Sequence, residues 1–280
     1  MFKCFHAGGG KTSPASIKGV FMRTLVHAVF CIIFLSLFLN TSVLALDADT
    51  QQPGDQPPPG TNPTDILTRG DLKYKFIKSQ SGAETHAATM RLDYAVSPDV
   101  LVRVDVPYVD VDPKHSSIDS DSGLGDLFVR LGWRALAQPK FALFFGADFF
   151  LDTASEDLLG TGTTIAAPLV AGMWVLPEQK ALAGVILSHA VDIDGDLDIS
   201  ETEIRPLYIK SLPNSSWLLV DTHLFIDWKD DNEFGWYQEL QLGKMLTEKF
   251  GITIAPGYGI TGDNRTVPDW TIETGIRYFF

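Results

Sequence analysis

TIETGIRYFF, residues 271–280, is the stretch whose reading decides the fold. Ile272, Ile276, Tyr278 and Phe280 share one face, with Thr274 filling the gap; Thr271, Glu273, Gly275, Arg277 and Phe279 share the other. Successive side chains of a strand point to opposite sides, so a period of two gives one apolar and one wet face. A single strand of this kind has no use for its apolar face unless others extend it. The chain upstream supplies eleven more.

From residue 71 onward the sequence divides into alternating segments at 71–80, 85–97, 100–111, 125–137, 140–152, 164–176, 179–191, 202–212, 215–228, 234–246, 249–260 and 269–280. Each is long enough to cross a bilayer as a tilted strand. Val102, Val104, Val106 and Tyr108 alternate with Arg103, Asp105 and Pro107; Leu127, Val129, Leu131 and Trp133 alternate with Phe128, Arg130, Gly132 and Arg134. In the ninth segment Leu218, Val220, Leu224, Ile226 and Trp228 oppose Asp221, His223 and Asp227, and in the eleventh Phe250, Ile252, Ile254 and Tyr258 oppose glycines and small residues. The sixth and seventh are apolar on both faces, which leaves their register open.

The connections keep a rhythm. Short ones around Ser97, Gln138, Pro177, Pro213 and Thr247 alternate with longer ones at 112–124, 153–163, 192–201, 229–233 and 261–268; only the first hairpin, at Ser81–Gly82, is short where a long one is due. Short turns at one end and long loops at the other are the pattern of a transmembrane barrel. The expectation is an all-β fold: a twelve-stranded antiparallel up-and-down barrel over residues 67–280, closed so that no backbone group is left unpaired in hydrocarbon. Aromatics near segment ends (Tyr108, Trp133, Trp228, Trp236, Trp270, Phe280) suit its interfacial girdles.

The front of the chain reads differently. Arg23, the apolar run VHAVFCIIFLSLFL at 26–39, and the small-x-small pair Val43 and Ala45 make residues 1–45 a cleaved secretory signal, with Met22 as an alternative start. GGGKT at 8–12 is not a phosphate-binding loop, because Phe5 stands where that motif needs glycine. Both cysteines, Cys4 and Cys31, fall inside the signal, which excludes disulfides and thiolate metal sites from the remainder. Residues 46–66, rich in Pro, Gly, Gln and Asp, read as a disordered periplasmic tether. Removing residues 1–45 takes away Lys3, Lys11, Lys18 and Arg23 but no acid, leaving 18 basic against 35 acidic side chains. That balance disfavours nucleic acid as a partner.

Three groups of residues could carry function. Arg103, Asp105, Arg130, Arg134, Asp148, Asp221, His223, Glu239, Glu273 and Arg277 fall on the inferred lumen face, with Lys73, Lys75, Arg91, Asp93 and Asp227 beside them. They read either as the wall of a polar pore or as ion pairs that plug a narrow barrel. Asp192, Asp194, Asp196 and Asp198 place oxygen ligands at alternate positions, a spacing able to hold calcium loosely, though a solvated loop is the plainer reading. An outer-membrane hydrolase would need a nucleophile beside a histidine. Asp221 and His223 lie two apart on one strand, too far for a direct hydrogen bond, and His115 with Ser116, Ser117 and Asp119 is ordinary loop composition. No catalytic set and no cofactor are expected.

The last strand, with Gly275, Tyr278 and Phe280 at their spacing, resembles the closing strand of bacterial outer-membrane barrels. The resemblance implies a location in the bacterial outer membrane among lipid and lipopolysaccharide, with the barrel-assembly machinery as the partner that reads the strand. Two further stretches narrow the likeness: SGLGDLFVRLGW at 122–133 and GADFFLDTASEDLLGTGTTIAAP at 146–168, together with Ile226-Asp227-Trp228 and Leu242-Gly243-Lys244. They resemble the outer-membrane family named for the Met-A pathway of phenol degradation. The likeness departs at Leu151-Asp152-Thr153, where members often carry a proline before the threonine. It implies an outer-membrane channel or transporter for small, hydrophobic or aromatic solutes, and it carries no catalytic or binding residues over. If 271–280 is the closing strand, deleting Phe280 or replacing it with a polar residue blocks membrane assembly. Loss of heat-modifiable folded protein from the outer-membrane fraction is the expected result.

Overall fold

A computed structural model describes residues 57–115, 118–195, 197–262 and 267–280; the signal expected at 1–45 and the first part of the tether expected at 46–66 lie outside them. The strands are β1 (Arg69–Lys78), β2 (Glu84–Ser97), β3 (Val100–Asp112), β4 (Asp121–Leu124), β5 (Leu127–Gln138), β6 (Phe141–Leu151) and β7 (Ile165–Leu176). They continue with β8 (Ala181–Asp192), β9 (Ser200–Leu212), β10 (Ser216–Asp227), β11 (Glu233–Met245), β12 (Phe250–Thr261) and β13 (Trp270–Phe279). Neighbours along the chain pair antiparallel, except that β5 pairs with β3 instead of β4, and β1 pairs with β13 from Arg69↔Phe279 to Lys78↔Trp270. The ring therefore closes. Twelve strands span it, as the alternation predicts, with boundaries a few residues from those read in the sequence.

The thirteenth element, β4, lies inside the span expected to be a loop. β5 pairs only with Val100–Asp105 of β3, while Tyr108–Val111 pair with β4. The outer half of β3 would otherwise present unpaired backbone groups, which a short return strand satisfies. Its Asp-Ser-Gly-Leu composition hides that role.

The outer surface is apolar: Leu72, Met90, Leu92, Leu131, Trp133, Phe145, Trp174, Ile254 and Ile276 are all exposed, Met90 at 66%. Exposed apolar side chains on every wall of a closed barrel call for hydrocarbon rather than water as their solvent. The apolar face of β13 (Ile272, Ile276, Tyr278, Phe280) belongs to this belt.

The interior divides. At the end with the short turns, Phe144, Leu169, Ala171, Met173, Leu182, Ile186, Leu207, Ile209 and Trp217 form a packed core inside the barrel. This explains the doubly apolar β7 and β8: one face meets lipid and the other fills the lumen. Beyond it the interior is charged, and toward the long loops it becomes largely apolar again.

The second part of the span expected as a tether is held by the barrel. From Pro57 the chain enters the short-turn end of the barrel, where Gly60 is buried and Thr64 is 1% exposed. Gly60, at φ +74°, turns the chain there. Its carbonyl accepts hydrogen bonds from the guanidinium groups of Arg69 and, at 2.8 Å, Arg277, and Ile66 packs against the apolar core. Proline-rich sequence cannot form a core of its own, but it can be held by one that already exists.

Candidate functional site

Alternation puts charged residues of the first three strands on the inner face, and register decides which of them meet. Arg91 lies opposite both Asp71 and Asp105, and Asp93 opposite both Arg69 and Arg103. The side chains close these contacts. Arg91 donates to Asp105 at 2.8 and 2.6 Å, Arg103 to Asp93 at 2.5 and 2.9 Å, and Arg69 approaches Asp93 at 2.9 Å. Across the barrel seam Arg277 reaches Asp71 at 3.1 Å and Lys73 reaches Glu273 at 2.8 Å. Around the remaining wall Arg130 binds Asp148 in bidentate fashion at 2.6 and 2.7 Å, Arg205 binds Asp221, and Lys75 lies 3.3 Å from Glu239. Paired, two-pronged contacts are the arrangement in which buried charges are tolerated.

These pairs line space rather than fill it. A cavity of about 600 Å³ is walled by the arginine–aspartate pairs of β1–β6, by Arg205, Asp221, Glu239, Glu273 and Arg277, and at its inner end by Gly60–Pro63 and Asp65. A second cavity, of about 390 Å³, lies toward the long loops, where Ile77, Ala83, Val111, Leu158, Ala167, Phe225 and Val267 make its wall largely apolar. The two share Lys75, Asp148, Phe150, Glu203, His223 and Tyr237. The lumen is thus two stacked chambers, an apolar outer one and a charged inner one, with a common waist. At the base Asp65 accepts the Gly60 N–H at 2.8 Å, and burial pushes its carboxyl above the usual range despite the nearby Arg69.

Of the ten residues read as lumen candidates, Arg103, Asp105, Arg130, Asp148, Asp221, His223, Glu239, Glu273 and Arg277 line the inner chamber. Arg134 does not. It sits at the inner rim, donating to the Pro98 carbonyl at 2.8 Å, because the turn after β2 brings that carbonyl and Asp99 beside it. Arg69, Asp71, Glu203 and Arg205 belong to the wall and were not singled out in the sequence; Glu203 and Arg205 alternate with Thr202 and Ile204, the signal that could have found them.

Asp221 and His223 are closer than two positions on a strand require: His223 Nε2 lies 3.4 Å from Asp221 Oδ1, while Nδ1 lies 2.6 Å from Glu203 Oε1. Both ring nitrogens face carboxylates, so neither is left to activate a hydroxyl. Of the other loop candidates, Ser116 and Ser117 lie outside the described residues.

The aspartates at 192–198 are not brought together. Asp192 accepts the N–H groups of Leu197 and Ile199, Asp194 accepts that of Thr164, and Asp198 pairs with Lys229 at 2.6 Å, holding the Lys229 ammonium above its ordinary range. Asp196 lies outside the described residues. Among those described, no group of three or more histidine or acidic side chains is placed to hold a metal.

No protein-family model and no curated protein matches the chain. Solved structures do. The chain is similar to the COG4313 outer membrane channel from Pseudomonas putida F1, at 14% identity and a TM-score of 0.64, over 82% of this chain and 100% of that one. It is similar to the NanC porin at 9% identity and TM-score 0.55, over 76% of this chain and 100% of the porin. The KdgM porin gives 7% identity and TM-score 0.53, over 76% and 99%. At such identities the likeness is one of fold: the closed antiparallel barrel of bacterial outer-membrane channels.

The pairing of the wall has a measurable consequence. Asp221 is 1% exposed, so Arg205→Met leaves a buried carboxylate short of its main partner and costs about 3 kcal/mol. The double variant Arg205→Met/Asp221→Leu removes both charges and recovers most of that loss. Urea midpoints followed by tryptophan fluorescence in detergent micelles compare the two.

Proposed function

We propose that this protein is a channel of the bacterial outer membrane that passes small solutes, including apolar and aromatic ones, and that it is not an enzyme. The observation that carries the reading is the pair of stacked chambers inside the closed barrel. A barrel built only as a structural post has no need of internal space. The apolar outer chamber gives a greasy solute somewhere to shed water before it meets charge, and the paired inner wall offers both signs without a large net field. The similarity of 122–133 and 146–168 to the phenol-degradation family supports the same solute class. The closing strand, with Gly275, Tyr278 and Phe280, is read here as the signal to the assembly machinery, and the apolar belt as the face toward lipid and lipopolysaccharide.

A second reading has its own observation. Residues 60–65 stand across the base of the inner chamber, held by Arg69, Arg277 and the apolar core. With that segment seated, the barrel is stoppered.

Single-channel recording of refolded residues 46–280 in planar bilayers tests both. The channel reading expects discrete conductance steps that an aromatic solute blocks. Silence from a folded barrel that conducts only once 57–66 are removed supports the stoppered form. Silence from both overturns the channel.

A further inference from the structure

We infer that residues 153–164 are a fixed wall of the solute path, latched in the outer mouth by Asp126, which acts as a positioning residue for selectivity. The inference rests on the channel reading. This connection joins β6 to β7 at the long-loop end and has length enough to extend into solvent, yet it turns inward.

One carboxylate holds it at both ends. Asp126 Oδ1 accepts the N–H groups of Thr153 and Ala154, each at 3.1 Å, and Oδ2 accepts the Thr161 N–H at 2.6 Å and its hydroxyl at 2.8 Å. Bonds from backbone N–H to an ionised acceptor are among the stronger kind. Three of the four donors are main-chain groups, so the latch depends little on the side chains of the arch. Ser155 N–H adds a bond to the Leu124 carbonyl at 2.9 Å, fastening the arch along β4.

Packing holds the arch as tightly as the latch does. Leu159 is 0% exposed and packs with Ala87, Val109 and Val111. The approach is close enough to demand glycine: a Cβ on Gly160 would stand 2.5 Å from Ala154 Cβ and 2.7 Å from Asp126 Oδ1, and one on Gly125 would stand 2.8 Å from Val109 Cγ2. The Gly-Leu-Gly-Asp run at 123–126 is therefore the seat of the arch.

The arch borders both chambers. Leu158 faces the apolar outer one, while Leu159, Gly160 and Thr161, together with Asp126 beneath them, line the charged inner one. A solute moving between them passes this arch. Held rigid, it sets the bore and presents an apolar surface there, which favours slim solutes with an apolar face over bulkier polar ones.

Asp126→Ala, Asp126→Asn and Gly160→Val, in protein purified from the outer membrane, test the inference with two independent readouts. Hydrogen–deuterium exchange over 152–162 should quicken about tenfold or more in Asp126→Ala, and by less in Asp126→Asn, which keeps one accepting oxygen. Single-channel conductance should rise about twofold or more in Asp126→Ala and in Gly160→Val, with weaker aromatic block, because a freed arch widens the bore. Gly160→Val displaces the arch by bulk while leaving the carboxylate in the chain, so it decides the matter if the alanine variant fails to fold. Exchange as fast in the unaltered protein as in Asp126→Ala overturns the latch. Faster exchange with unchanged conductance overturns the arch as a wall while leaving the channel standing. If parent and variants all fail to conduct even with residues 57–66 removed, the channel reading falls and the selectivity role with it, whereas exchange still decides the latch.

Discussion

Hydrocarbon gives a backbone no water to bond with, and every strand here obeys that constraint. An open twelve-stranded sheet would leave the edges of β1 and β13 bare, at several kcal/mol for each unpaired group. The ladder from Arg69↔Phe279 to Lys78↔Trp270 removes both edges together. Closure also creates an inside. Once the ring is shut, each strand's second face has nowhere to go but the lumen, and the chemistry of the protein follows from what alternation places there.

Two solutions to filling that lumen coexist. Around β6–β10 the short-turn end is packed like an ordinary core, with Trp217 buried in it. Around β1–β3 and β13 arginines and aspartates face one another across adjacent strands. Cross-strand pairing keeps each charge close to the wall, so the ion pairs hold neighbouring strands together and line the inner chamber. The proposed channel takes the first of the two readings of the lumen charges in the sequence, pore wall or plug. The ion pairs form the wall, and the material across the base is a stretch of backbone, residues 60–65.

The architecture was legible because one physical quantity, the period of two, carries it. In β3, β5, β10, β12 and β13 polar and apolar residues alternate cleanly, and the faces follow. Where both solvents of a strand are apolar, as for β7 and β8 between lipid and the inner core, alternation vanishes and only the structure assigns the faces. Composition misled at Pro57–Ile66, since a segment poor in apolar residues can still be bound through a carbonyl and a single isoleucine. It misled again at Asp121–Leu124, a strand made of loop residues. Arg134 obeys alternation yet lies too near the turn to reach the chamber. Asp126 was visible in the sequence only as the end of a glycine-rich run, because its partners lie about thirty positions downstream and no local pattern links them.

The central claim is that the charged lumen is open to small solutes from the outer face. Residues 46–280 contain no cysteine, and Thr89 faces the inner chamber from β2, so Thr89→Cys is a clean reporter. In intact cells, a small membrane-impermeant thiol reagent should modify it readily, and a bulky one should not. A properly inserted barrel whose Cys at this position resists even the small reagent would contradict the account, for the chambers would then be closed to the outside.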